Sequence, residues 1–153
     1  MNTAKTEYTE TLPEEIKKLV QQGHLEDETI AGIVCNYKPF SIVWKNDNKT
    51  VIGVLSGYTA FAEVYVDDIW VAPAHRKKGI GQTLLQELEN RFRGKGYNNI
   101  NLVTSAFQAP KFYKKCGFKQ EFIRVNKQNP KLNKLFFVKY FNEEKQTQGI
   151  LLD

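Results

Sequence analysis

Between Gly79 and Arg93 the apolar residues Ile80, Leu84, Leu85, Leu88 and Phe92 return at helical intervals, and this spacing predicts an amphipathic helix. Gly94 or Gly96 ends it, and Arg91 and Arg93 suit its negative end. On either side the pattern changes to runs rich in β-branched and aromatic residues. Upstream, Phe40–Trp44, Thr50–Tyr58 and Ala62–Val71 read as three strands of an antiparallel meander. The polar tetrad Asn46-Asp47-Asn48-Lys49 reads as the hairpin joining the first two. Downstream come a strand over Asn98–Thr104, a short helix over Pro110–Cys116 stopped by Gly117, and closing strands over Lys119–Val125 and Leu132–Phe141. Ahead of the meander, Lys5–Thr9 reads as a short opening strand. A helix follows Pro13 as far as Gln22, Gly23 interrupts it, and a second helix runs from Glu26 to Cys35. The polar tail, residues 142–153, is expected to fray.

The central strand–helix–strand, Tyr65–Val71, Gly79–Arg93 and Asn98–Thr104, forms a right-handed crossover between two parallel strands. The expected fold class is therefore α/β in the α+β sense: a mixed, mostly antiparallel sheet of about seven strands, one central parallel pair, and flanking helices. A chain of 153 residues suits one domain spanning residues 1–153 with a proper core.

Composition narrows the function classes. No apolar run approaches bilayer length, and the N-terminus lacks the apolar stretch of a secretion signal, so a cytoplasmic protein without a membrane partner is expected. Cys35 and Cys116 have no metal-like spacing and suit a reducing compartment; no metal is expected. The net charge is +5, but the lysines are scattered. A nucleic-acid binder would concentrate them on one face with exposed aromatics, a pattern absent from this sequence.

One basic cluster stands apart. The segment Arg76-Lys77-Lys78-Gly79-Ile80-Gly81 follows a strand and opens the predicted helix. A glycine-rich turn there presents unpaired N–H groups and the positive end of the helix dipole, a phosphate-binding arrangement. The spacing is neither that of a Walker loop nor the full dinucleotide fingerprint. Taken alone, it also reads as a helix start with a solvated charge run, and the pair Phe112-Tyr113 alone reads as core packing.

Together the two segments resemble the signatures of the GNAT superfamily of N-acyltransferases. Arg76, Gly79 and Gly81 match the Arg/Gln-x-x-Gly-x-Gly/Ala acyl-CoA motif. Ala109, Phe112, Tyr113, Gly117 and Phe118 match the second signature, Ala-x-x-Phe-Tyr-x-x-x-Gly-Phe. The resemblance implies acetyl-CoA as co-substrate, held where the two parallel strands splay. It implies pantetheine along Ile69, Trp70 and Val71, with a backbone N–H there polarising the thioester. The pyrophosphate would meet Arg76, Lys77, Lys78, Gly79, Ile80, Gly81 and Gln82, with Phe112 also on the cofactor. An asparagine usual in the second signature is replaced by Ala106, leaving Ser105 and Gln108 as polar substitutes. Tyr113 matches the general acid that protonates the departing thiolate. Glu63, Asp67 and Asp68 are the candidate bases. Asp67 and Asp68 would face opposite ways on a regular strand, and a bulge would blur that parity. His75 is assigned to the surface and Cys116 to helix packing.

The implied activity is acetyl transfer to a primary amine, on a small molecule or a protein, by direct attack in a ternary complex. The competing reading is a catalytically silent CoA-binding sensor or interaction module. The acceptor is expected to depend on Leu12–Pro39 and Asn126–Asn133, and a homodimer through the last strands is left open.

Overall fold

The computed structural model describes residues 4–141, and the chain divides at Cys35/Asn36 into two compact units. The expected frayed tail, 142–153, lies outside the described residues.

The first unit carries α1 (Glu14–Ala31), one continuous helix in place of the two expected. Gly23 does not break it. A glycine inside a helix costs roughly 1 kcal/mol relative to alanine, and its neighbours supply ordinary helix formers. Gln22 Nε2 donates to Glu26 Oε1 at 3.1 Å across that point. The helix stops instead at Gly32, whose φ of 68° is left-handed. There the Gly32 N–H reaches Thr29 O at 3.2 Å and the Ile33 N–H reaches Glu28 O at 2.9 Å, closing the last turn. The opening strand expected over Lys5–Thr9 is absent: these residues are irregular. Four of the five are charged or threonine, and without an apolar face the segment has nothing to hold it on a sheet.

The second unit is built on β1 (Lys38–Lys45), β2 (Val51–Ala60), β3 (Glu63–Val71), α2 (Ile80–Phe92), β4 (Asn99–Ser105), α3 (Pro110–Lys115), β5 (Lys119–Arg124) and β6 (Lys134–Tyr140). The strands form one six-stranded sheet in the order β1-β2-β3-β4-β6-β5. That is one strand fewer than expected, the missing one being Lys5–Thr9. Only β3 and β4 run parallel. The β1–β2 turn is closed by Asn46, whose side chain accepts from the Thr50 N–H at 3.0 Å. Lys49 takes the left-handed conformation there at φ 62°.

One face of the sheet carries the core. Ile80, Leu84, Leu85 and Leu88 of α2 pack on Leu55, Val64, Ile100, Leu102 and Phe137, all buried. Each such side chain contributes roughly 1.5–3 kcal/mol on removal from water, so this stripe fixes the helix on the sheet.

The register of β2 against β3 contains one irregularity. Gly57 pairs with Val66 and Ser56 with Asp68, leaving Asp67 as the extra residue of a bulge. Before it, Val64 and Val66 point into the core; after it, Ile69 and Val71 do. Gly57 is required at this point, because a Cβ there would lie 2.0 Å from the Tyr65 carbonyl oxygen and 3.0 Å from Phe40 Cζ. Gly57→Ala should destabilise the chain by about 1–3 kcal/mol, the usual range for overpacking. Urea denaturation checks this: the midpoint falls and the slope is unchanged.

Candidate active site

Strands β3 and β4 pair over three positions only, Glu63 with Asn99, Val64 with Ile100 and Tyr65 with Asn101. Beyond Tyr65, β3 remains paired to β2 and β4 to β6, but not to each other. The edge of β3 that faces the gap therefore carries backbone groups without a ladder partner. A cleft of about 900 Å³ opens at this end of the sheet. Its walls are Ile69–Val71, the loop after β3, the first turn of α2, and α3.

The loop is shaped by its backbone. The Ala72 N–H reaches Ile52 O at 2.8 Å, and a 3-10 turn over Pro73–His75 follows. Lys77 and Gly79 are both left-handed, at φ 62° and 81°. Thr83 is the first residue of α2 to find a helical acceptor, its N–H donating to Gly79 O at 3.0 Å. The N–H groups before it are the orphan donors of a helix start, aimed where an anion is stabilised. The Arg76 guanidinium folds back, Nε donating to Val71 O at 3.0 Å. A Cβ on Gly81 would meet Phe112 Cζ at 3.0 Å, so this glycine lets α3 close against α2.

Tyr113 projects from α3 among three aromatic rings, with centroids 5.2 Å (Phe112), 6.0 Å (Phe118) and 6.0 Å (Phe137) away. Burial pushes its phenol up to about 12, with Asp68 and then Cys116 adding to the effect electrostatically. The phenol is thus a proton carrier throughout the neutral range.

The three carboxylates part company. Glu63 lies at the paired end of β3, where its carboxylate accepts from the Tyr65 hydroxyl and from Asn99 Nδ2 at 3.1 Å. Asn99 in turn accepts from Asn101 Nδ2 at 2.8 Å. Asp67 sits on the bulge, and it and Asp68 are both exposed. Asp68 is the one whose charge reaches Tyr113.

Among the other expected residues, Ile69, Trp70, Val71, Arg76, Lys77, Gly79, Ile80, Gly81, Gln82, Gln108 and Phe112 line the cleft, whereas Lys78 and Ser105 do not. Gln108 also closes its own loop, Oε1 accepting from the Ser105 N–H at 2.9 Å. His75, assigned to the surface from sequence, is half-buried and lines the cleft. The 3-10 turn carries it back toward the site. Phe107 and Cys116 also face the cleft and had no assigned part in it. Cys116 follows Tyr113 by three residues and Phe112 by four, a helical-face spacing that signals its position. Among the described residues no cluster of three or more His, Cys, Asp or Glu side chains is placed to hold a metal, and no helix is long and apolar enough to cross a membrane.

A splayed parallel pair, a glycine-turned helix start beside lysine, and a protonated tyrosine thus meet in one cleft. The model of the acetyltransferase (GNAT) family matches residues 3–118, and the chain belongs to that family. An acetyltransferase of Agrobacterium fabrum is 32% identical over 81 residues, covering 53% of this chain and 59% of that protein. The match therefore spans little more than half the length of that curated relative. The crystal structure of a Bacillus cereus acetyltransferase superposes with a TM-score of 0.72 at 26% identity, covering 88% of this chain and 97% of the other. A spermidine/spermine N-acetyltransferase of Vibrio cholerae shares the fold, with a TM-score of 0.59 at 19% identity over 84% of this chain and 80% of that one.

The environment of Tyr113 has a measurable consequence. A free tyrosine ionises near about 10, so the folded chain keeps this proton while the unfolded chain releases it. The stability so gained is fully present below pH ~10 and is lost as pH rises toward ~12. Absorbance titration at the phenolate band, wild type minus Tyr113→Phe, should place this group's midpoint near 12. A midpoint near 10 would show that the phenol is not buried as described.

Proposed function

We propose that the chain transfers the acetyl group of acetyl-CoA to a primary amine by direct attack, with both substrates bound together. The observation that carries this reading is Tyr113, protonated in the cleft beside the first turn of α2, with Asp68 acting on it electrostatically.

An alkylamine with a pKa of about 10 is mostly protonated near neutrality and must lose a proton before it attacks. Asp68 is the base in this reading, accepting that proton directly or through one water. Glu63 is held by Tyr65 and Asn99 at the far end of β3; Asp67 and Asp68 are both exposed, and of the two it is Asp68 whose charge acts on Tyr113. As the amine nitrogen bonds to the thioester carbon, negative charge moves to the carbonyl oxygen. A free N–H on the open edge of Ile69–Val71 stabilises it. The carbon–sulfur bond then breaks, and the Tyr113 hydroxyl donates its proton to the departing thiolate. Phosphates of the donor are met by the first-turn N–H groups of α2 and by Lys77. The relative from Vibrio cholerae is named for spermidine and spermine; at 19% identity it shares the fold and does not choose this chain's acceptor.

The test is a panel of primary amines, from diamines and aminoglycosides to peptide N-termini, with acetyl-CoA and detection of released thiol. Turnover with at least one amine is expected. Tyr113→Phe should lower kcat by about 10²–10⁴, the usual worth of a positioned acid, while KM for acetyl-CoA changes little. An unchanged kcat would remove Tyr113 as the acid. Tight CoA binding without turnover across the panel would favour a silent CoA-binding module.

A further inference from the structure

The short helix that carries Tyr113 has little to hold it. Six residues are too few for a helix to persist by itself, and α3 buries no residue fully. Its C-terminal end is tied to α2 and β6 through Lys139. Lys139, on the core-facing side of β6, donates from Nζ to the Cys116 carbonyl at 3.2 Å and to Glu89 Oε2 at 2.8 Å. Glu89 is a buried carboxylate on the third turn of α2, and its other oxygen receives the Arg93 guanidinium. The Lys139 ammonium also lies 5.9 Å from the centre of the Phe118 ring, against which Tyr113 packs.

The arrangement joins three elements at one charge. α2 supplies the phosphate-facing turn, α3 supplies Tyr113, and β6 supplies the lysine between them. A cation at the carbonyl end of a helix is electrostatically favoured. A carboxylate buried to this degree is stable only when paired. Chain separation makes the contact specific, since Glu89 and Lys139 lie 50 residues apart. Gly117, left-handed at φ 90°, turns the chain out of α3 just beyond the Cys116 carbonyl that the lysine meets.

We propose that Lys139, held by Glu89, is a positioning residue that fixes the C-terminal end of α3 and so sets the Tyr113 hydroxyl against the leaving sulfur. The proposal rests on the reading of Tyr113 as general acid, and its test has an arm that needs no turnover. Lys139→Met keeps the apolar stem and removes the ammonium. In hydrogen exchange, the α3 amides of Tyr113, Cys116 and Gly117 should exchange about tenfold faster in this variant, while β2 and β4 amides keep their protection. In turnover, kcat should fall about 10- to 100-fold, as for a small misplacement of a catalytic group, with KM for acetyl-CoA nearly unchanged. Adding Lys139→Met to Tyr113→Phe should cost nothing further, because the group it positions is already gone.

Unchanged exchange in α3 overturns the clamp. Faster exchange with additive losses in the double variant overturns its action through Tyr113. If Lys139→Met leaves the Glu89 carboxylate alone and the chain does not fold, Glu89→Gln combined with Lys139→Met removes both charges and is read by the same measurements. A wild type that transfers no acetyl overturns the proposed function, and the exchange arm then decides the clamp alone.

Discussion

The bulge at Asp67, where β3 bends just as it parts from β4, is the constraint on which the site depends. A parallel pair normally continues until one strand ends, because each lost rung leaves an N–H and a C=O without a partner. Here the pairing stops after Tyr65, and the extra residue that bends β3 follows within two positions. Both strands survive the loss because each is held from its other side. Beyond the bulge β3 keeps β2 from Asp68 to Val71, and β4 keeps β6 along its whole length. The gap is thus propped open from outside rather than filled from within. An extended ligand bearing amides finds in it the same groups that a further strand would use.

The helices complete what the gap begins. The apolar stripe of α2 fixes its axis on the sheet, and this leaves its first turn facing the cleft with unspent N–H groups. Gly79 and Gly81 serve different ends. The first permits the left-handed entry into the helix, and the second permits Phe112 to close on the helix backbone. That closure matters for the phenol next door. Rings of Phe112, Phe118 and Phe137 half-bury Tyr113, and that burial raises its pKa. Near neutrality the residue is a hydrogen-bond donor.

Much of this was legible in the sequence because it is local. The stripe from Ile80 to Phe92, the meander of three strands, the Asn46 turn and the glycine-opened helix are each set by residues within a few positions of one another. The expectations that failed lie where a local rule met a weaker or a longer-range one. Gly23 reads as a breaker, yet its cost is smaller than the sum of the helix formers around it. Lys5–Thr9 has the threonines of a strand without an apolar side to anchor it. His75 reads as surface because its backbone turn cannot be seen in residue spacing. Glu89 carries no sequence signal of its own, although it meets a lysine fifty residues later. No periodicity reveals a partner at that distance.

The choice among Glu63, Asp67 and Asp68 shows the same division most sharply. Alternation alone puts Asp67 and Asp68 on opposite faces, and the bulge cancels the count by one. Asp68 then falls opposite Ser56 and shares the face of Trp70, away from the core that Ile69 and Val71 enter. Tyr113 belongs to the core side, among Phe118 and Phe137. Asp68 and Tyr113 thus belong to opposite faces of the sheet, and β3 and β4 separate just where Asp68 stands. In the proposed reaction, a donor lying in that opening would meet Asp68 from one face and Tyr113 from the other. The proposed reaction would then run its two proton transfers through different groups, without either having to serve both.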